Sequence, residues 1–139
     1  MSTERTKFDD VIEPAIKTDP SKTSVTLYGL KTCKTCRTAA EELLDAGAHV
    51  MVKDVVGDNI GLEDFQYLEG KVGWETLVNK SSTTWRNIPE SEKADLDRGK
   101  ALDLLVANPK LMKRPALDFG DEVIVGWNAD SKARALSKI

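Results

Sequence analysis

The stretch Val25-Thr26-Leu27-Tyr28-Gly29-Leu30-Lys31-Thr32-Cys33-Lys34-Thr35-Cys36-Arg37 changes its periodicity once, and a cysteine pair stands at the change. Residues 25–30 are apolar and β-prone and read as a strand. A short polar loop follows. Residues 35–46 then read as a helix with Ala39, Ala40, Leu43 and Leu44 on its apolar face and Gly47 at a helix-ending position. Cys33 and Cys36, the only two cysteines in 139 residues, therefore fall at a strand-to-helix junction. Unpaired N–H groups and the positive end of the helix dipole stabilise a thiolate there. Lys31, Lys34 and Arg37 add positive charge on both sides of the pair. Cys33 is the expected nucleophile, and Cys36, one helical turn on, can close a disulfide onto it.

Other uses of a Cys-x-x-Cys pair fit less well. A structural zinc site needs four ligands, and this chain offers no second cysteine pair and one histidine, His49. No metal site is expected. One pair is too sparse for a secreted disulfide scaffold. Two buried cysteines with no role would fit an apolar setting, which the flanking lysines and threonines do not provide.

Composition sets the frame. Hydrophobic residues make up 40% of the chain and charged residues 31%, the proportions of an ordinary globular domain. The net charge of −3 gives no support for direct nucleic-acid binding. No apolar run reaches membrane-spanning length, so no membrane association is expected. The polar start of the chain lacks a secretory apolar core, and a cytoplasmic setting is expected by default. A disulfide there would be transient.

Working outward, residues 1–23 read as a polar extension. Phe8, Val11, Ile12, Ala15 and Ile16 could form one side of a short helix interrupted by Pro14. A frayed extension is the preferred reading, and docking onto the domain the alternative. Residues 49–56 read as a second strand, which completes a β-α-β unit with a parallel pair. Leu62, Phe65, Leu68 and Val72 are spaced for a helix, with Gly70 and Gly73 marking its end. Residues 74–78 predict one more helical turn, 79–87 a polar loop, and 90–97 and 98–107 two helices. Leu102, Leu105 and Val106 are expected on the inner face of the last, and Pro109 ends it. Residues 116–119 and 123–125 read as a hairpin around Gly120-Asp121, and Asn128 as the cap of a final helix. The order is β-α-β, a helical insert over about 60–108, then β-β-α. That is an α/β fold with a mixed four-stranded sheet on the thioredoxin-like plan, spanning residues 24–139.

Several segments together carry a family resemblance: the strand 25–29 with its loop cysteine, Gly73-Trp74-Glu75-Thr76-Leu77-Val78-Asn79, Thr83-Thr84-Trp85-Arg86, Lys113-Arg114-Pro115 and Val125-Gly126-Trp127-Asn128. The chain resembles the arsenate-reductase-like (ArsC/Spx) branch of the thioredoxin superfamily. Within it, the chain is most similar to a subgroup suggested to be glutathione-dependent thiol reductases. The resemblance implies that Cys33 is the catalytic cysteine, that Arg114 is the arginine before the signature proline, and that this proline, Pro115, is cis. In arsenate reductases of this type two further arginines hold the oxyanion, and here Asn79 and Gly126 stand at those positions. Those enzymes also lack a cysteine at the place of Cys36. Spx-type regulators carry a Cys-x-x-Cys pair as a redox switch and bind RNA polymerase.

The first expectation is therefore a cytoplasmic thiol–disulfide oxidoreductase with Cys33 as nucleophile, Cys36 as resolving thiol, no bound cofactor, and glutathione or another small thiol as co-substrate. The alternative is a redox-sensing regulator that binds RNA polymerase. Arsenate reduction ranks third. Candidate substrate- or anion-binding residues are Lys34, Thr35, Arg37, Arg86, Arg114 and Pro115. Arg114 is read as an anion clamp, against the alternative of a solvated charge beside Lys110 and Lys113. Arg86 is either a second anion contact or a cation stacked on Trp85. His49, Trp74 and Trp127 are read as structural, and the charges over 90–103 as a solvated face.

Overall fold

A computed structural model describes residues 22–139. Apart from Lys22 and Thr23, the predicted N-terminal extension lies outside the described residues. Strand β1 (Ser24–Gly29) leads through the cysteine loop into helix α1 (Lys34–Asp45) and strand β2 (His49–Asp54). Five helices, α2 (Leu62–Val72), α3 (Trp74–Leu77), α4 (Thr83–Arg86), α5 (Glu90–Lys93) and α6 (Arg98–Ala107), make up the insert. A 3-10 turn (Pro109–Leu111), strands β3 (Ala116–Asp118) and β4 (Val123–Val125), and helix α7 (Ala129–Leu136) complete the chain. The sheet order is β2-β1-β3-β4, with β1 parallel to β2 and the other pairings antiparallel. This is the mixed four-stranded sheet expected from the sequence, in a thioredoxin-like fold.

Successive side chains point to opposite faces, so β1, β3 and β4 each feed two cores, while β2 feeds one. Val25 and Leu27 of β1, Val50 and Val52 of β2, Leu117 of β3 and Ile124 of β4 pack with Ala39, Ala40 and Leu43 of α1 and Ala135 of α7. On the other face Tyr28, Ala116 and Val123 meet Phe65, Leu68, Leu102 and Leu105 of the insert. Glu69, itself buried, pairs with Arg98 at 2.6 Å and ties α2 to α6. Asn128 caps α7 by accepting from the Ser131 N–H at 2.9 Å, and the Ser131 hydroxyl accepts in return from the Asn128 N–H at 2.9 Å.

Four local expectations need correction. Gly70 lies inside α2, and the helix ends only at Gly73, whose φ of 85° suits a residue without a β-carbon. The 79–87 segment contains the helical turn α4, because the Ser82 hydroxyl accepts the Trp85 N–H at 3.0 Å. The helix expected over 90–97 stops after Lys93, and Asp95 adopts a left-handed φ of 52°. Val106 is exposed; Ala101 and Leu104 join Leu102 and Leu105 on the buried face of α6 instead.

Candidate active site

Helix α1 begins with an unusual cap. Ser, Thr, Asp or Asn commonly supplies the oxygen that accepts the first free N–H groups of a helix. Here the cap is Cys33, and its Sγ accepts from the Cys36 N–H at 3.4 Å. The Cys33 N–H donates to the Leu30 carbonyl at 3.1 Å, which closes the loop between β1 and α1. Cys33 is half-buried and touches both cores. Cys36 is fully buried beneath it, and both are free thiols.

The two thiols are pushed in opposite directions. Burial opposes a charge on Cys33, but the Cys36 thiol and N–H donate to it and the Arg114 guanidinium faces it. The balance lowers the Cys33 pKa. Burial is the largest influence on Cys36; the neighbouring Cys33 sulfur adds to it, and the pKa rises to about 12. The two thiols therefore differ in acidity and in access: Cys33 is the more acidic and the more exposed.

Arg114 comes to this site from the far end of the chain. It is half-buried rather than a solvated charge, and its Nη1 donates to the Lys110 carbonyl at 2.7 Å. Its Nε is buried with no hydrogen-bond partner, so the guanidinium is bonded on one side and directed at the cysteine on the other. The Arg114–Pro115 peptide bond is cis, and the Pro115 carbonyl accepts from Gly126 N–H at 2.8 Å. The preceding segment is anchored to the insert: Lys113 N–H donates to the Leu77 carbonyl at 2.7 Å, and Val78 bridges Met112.

The remaining predicted residues divide. Lys34, Thr35 and Arg37 lie on the exposed side of the first turn of α1, next to Cys33 in the chain. Arg86 is turned onto its own segment, donating to the Ser81 carbonyl at 3.2 Å and the Thr83 hydroxyl at 3.0 Å. The cations over the Trp85 ring are Lys93 at 4.9 Å and Lys80 at 5.7 Å. Trp74 and Trp127 pack at the edges of the two cores, and His49 opens β2. Among the described residues no group of three or more His, Cys, Asp or Glu side chains could hold a metal ion. Asp54 is the residue that sequence reasoning passed over. It ends β2 and accepts the Lys31 N–H of the cysteine loop at 3.0 Å.

A family model described as the ArsC family matches residues 28–135, from β1 to α7 and including both cysteines and Arg114. The chain belongs to the ArsC family. An uncharacterized protein of Haemophilus influenzae is 38% identical over 104 residues, 75% of this chain and 91% of its own. Among solved structures, the YFFB (PA3664) protein is 36% identical with a TM-score of 0.74, covering 81% of this chain and 98% of its own. An arsenate reductase (ArsC) related protein from Brucella melitensis is 32% identical with a TM-score of 0.66, covering 84% and 96%. The ArsC-family chain thus has the fold of an arsenate-reductase-like thiol oxidoreductase. Among its described residues no helix is long and apolar enough to cross a membrane.

Proposed function

We propose that this ArsC-family chain is a thiol–disulfide oxidoreductase in which Cys33 attacks and Cys36 resolves, with glutathione as the small thiol partner. One observation carries it: the Cys33 sulfur takes the place of the N-cap oxygen of α1, accepts from Cys36 and faces Arg114. A thiolate so held forms more readily than that of an unassisted cysteine and is accessible on one side.

The Cys33 thiolate attacks one sulfur of a disulfide R–S–S–R. A Cys33–S–S–R bond forms, the substrate S–S bond breaks, and R–S⁻ leaves and takes a proton from solvent. Cys33 then carries no charge, so the neighbouring anion that raised the Cys36 pKa is gone. Cys36 releases its proton and attacks the Cys33 sulfur. The Cys33–Cys36 disulfide forms and the second R–S⁻ leaves. The substrate has gained two electrons and the cysteine pair has lost them. Two glutathione molecules restore both thiols and leave as one glutathione disulfide. The carboxylates of glutathione suit the Arg114 guanidinium, and Lys34 and Arg37 add positive charge around the approach.

Arsenate is a poorer match. At the two positions where arsenate reductases of this type carry further arginines, Asn79 accepts the Ser81 N–H through its side chain and Gly126 has no side chain to offer. The deciding experiment measures hydroxyethyl disulfide and arsenate turnover with glutathione. Disulfide turnover that Cys33→Ser abolishes, together with a glutathione adduct on Cys33 trapped in Cys36→Ser, is the expected result. Absence of turnover with co-purification of RNA polymerase would replace the enzyme with a redox-sensing regulator. Robust arsenate turnover would restore arsenate reduction.

A further inference from the structure

The cysteine loop is tied to the rest of the sheet by one carboxylate. Asp54 is 9% exposed, and its two oxygens accept three backbone N–H groups. Oδ1 accepts from Val56 and Gly57, each at 2.8 Å, and this shapes the turn after β2. Oδ2 reaches sideways to the Lys31 N–H at 3.0 Å, two residues before Cys33. The Asp54 N–H is itself fixed by the Asp58 carboxylate at 2.7 Å, and Val55 N–H bonds to the Gly29 carbonyl at 2.9 Å. The carboxylate therefore sits in a rigid frame. Lys31 is followed by Thr32 and then by Cys33, whose sulfur caps α1. Where the loop stands decides where that sulfur meets the Cys36 N–H.

We infer that Asp54 is a positioning residue for Cys33: through the Lys31 N–H it sets the cysteine loop against β2 and so holds the Cys33 sulfur in the cap of α1. This rests on the oxidoreductase reading, because the nucleophile it positions is the one assigned there. The role is separable from charge. Through its charge Asp54 can only disfavour a thiolate; as a loop anchor, it favours one by keeping the cap bond formed.

Asp54→Asn tells the two apart. An amide has one oxygen, and two donors, Val56 and Gly57, meet on the Oδ1 side. The oxygen stays there, and the NH₂ group then meets the Lys31 N–H, donor against donor. The turn after β2 is kept, the loop tie is lost and a negative charge is removed. The readout is the pH profile of iodoacetamide alkylation at Cys33, with adducts mapped by mass spectrometry. Positioning predicts a rise in the Cys33 thiol pKa and alkylation at neutral pH slowed by ~threefold or more. Unchanged or faster alkylation would overturn the inference, since loss of an anion alone speeds it. Should the variant fail to fold, amide hydrogen exchange on the unaltered reduced protein decides. The Lys31 N–H is expected to be protected, and exchange as fast as in an unstructured peptide would overturn the inference. Neither readout uses a disulfide substrate, so a failure of the oxidoreductase reading is seen separately, as absent turnover in the unaltered chain.

Discussion

Gly29 gives up its side-chain space to Cys36: a β-carbon built on Gly29 would lie 2.5 Å from the Cys36 Sγ. Gly29 is the last residue of β1, and its bareness lets the second thiol of the pair sink into the core under the first. Gly29→Ala is expected to destabilise the reduced protein by ~1–3 kcal/mol, the range for overpacking. In Cys36→Ala the sulfur is gone, though contacts to the Cys36 Cβ at 3.2 Å and Leu27 Cδ2 at 3.1 Å remain. The double variant should therefore lose less than the sum of the two single changes. Urea denaturation of all four proteins checks it, and strict additivity would remove the proposed packing conflict.

The opposed shifts of the two thiols predict selective chemistry. Cys33 has a lowered pKa and partial access, while Cys36 is buried with a pKa of about 12. Iodoacetamide at neutral pH is expected to label Cys33 well before Cys36. Equal labelling, or faster labelling of Cys36, would remove the assignment of Cys33 as nucleophile.

In the proposed mechanism Arg114 has two separable duties, to the thiolate and to the substrate. Removal of a carboxylate partner should weaken glutathione disulfide by ~1.5–3 kcal/mol, or roughly ten- to a hundredfold. Hydroxyethyl disulfide offers no carboxylate, so its loss in Arg114→Ala should be smaller. Equal losses would assign Arg114 to the Cys33 thiolate alone, and no loss for either would leave it without a part in the site. Because its Nε is buried and its Nη1 holds the Lys110 carbonyl, Arg114→Ala is also expected to lower stability, which thermal unfolding reads.

Asp54 predicts a share of the acid sensitivity. Burial opposes its charge, but the N–H groups of Lys31, Gly57 and Val56 outweigh it and hold its pKa below the ordinary 3.8. A carboxylate depressed on folding contributes stability that is present above its unfolded value and is lost as the pH falls through the folded one. Asp54→Asn has no such group. Its fall in stability between about pH 5 and pH 3 should be shallower than that of the unaltered protein, as measured by urea unfolding. Parallel curves would show that Asp54 is not depressed.

Much of the fold was legible because period and punctuation agreed. The apolar, β-prone run of β1, the 3.6-residue spacing of Ala39, Ala40 and Leu43, and the capping Asn128 each state a local preference that the tertiary structure keeps. The misreadings came where local signals were weak or were overruled. Gly70 is tolerated inside α2 because its neighbours Phe65, Leu68 and Glu69 hold the helix to the core. Residues 90–97 carry polar helix formers without a buried face, and only one turn survives. Arg86, open in sequence between an anion contact and a cation stacked on Trp85, donates to the Ser81 carbonyl and the Thr83 hydroxyl.

By itself the sequence determined the element order, the two-faced sheet and the place of the cysteine pair, because a cysteine at a strand-to-helix junction is fixed by neighbours a few residues away. Tertiary structure alone decided what that pair meets. Arg114 faces Cys33 only because β3 pairs antiparallel with β1, which brings the segment before Pro115 to the start of α1. Asp54 reaches Lys31 only because β2 runs parallel to β1 in register, pairing Asp54 with Gly29. No local pattern encodes either meeting: each depends on strands distant in sequence aligning their ends, and that alignment is set by burial of both sheet faces at once.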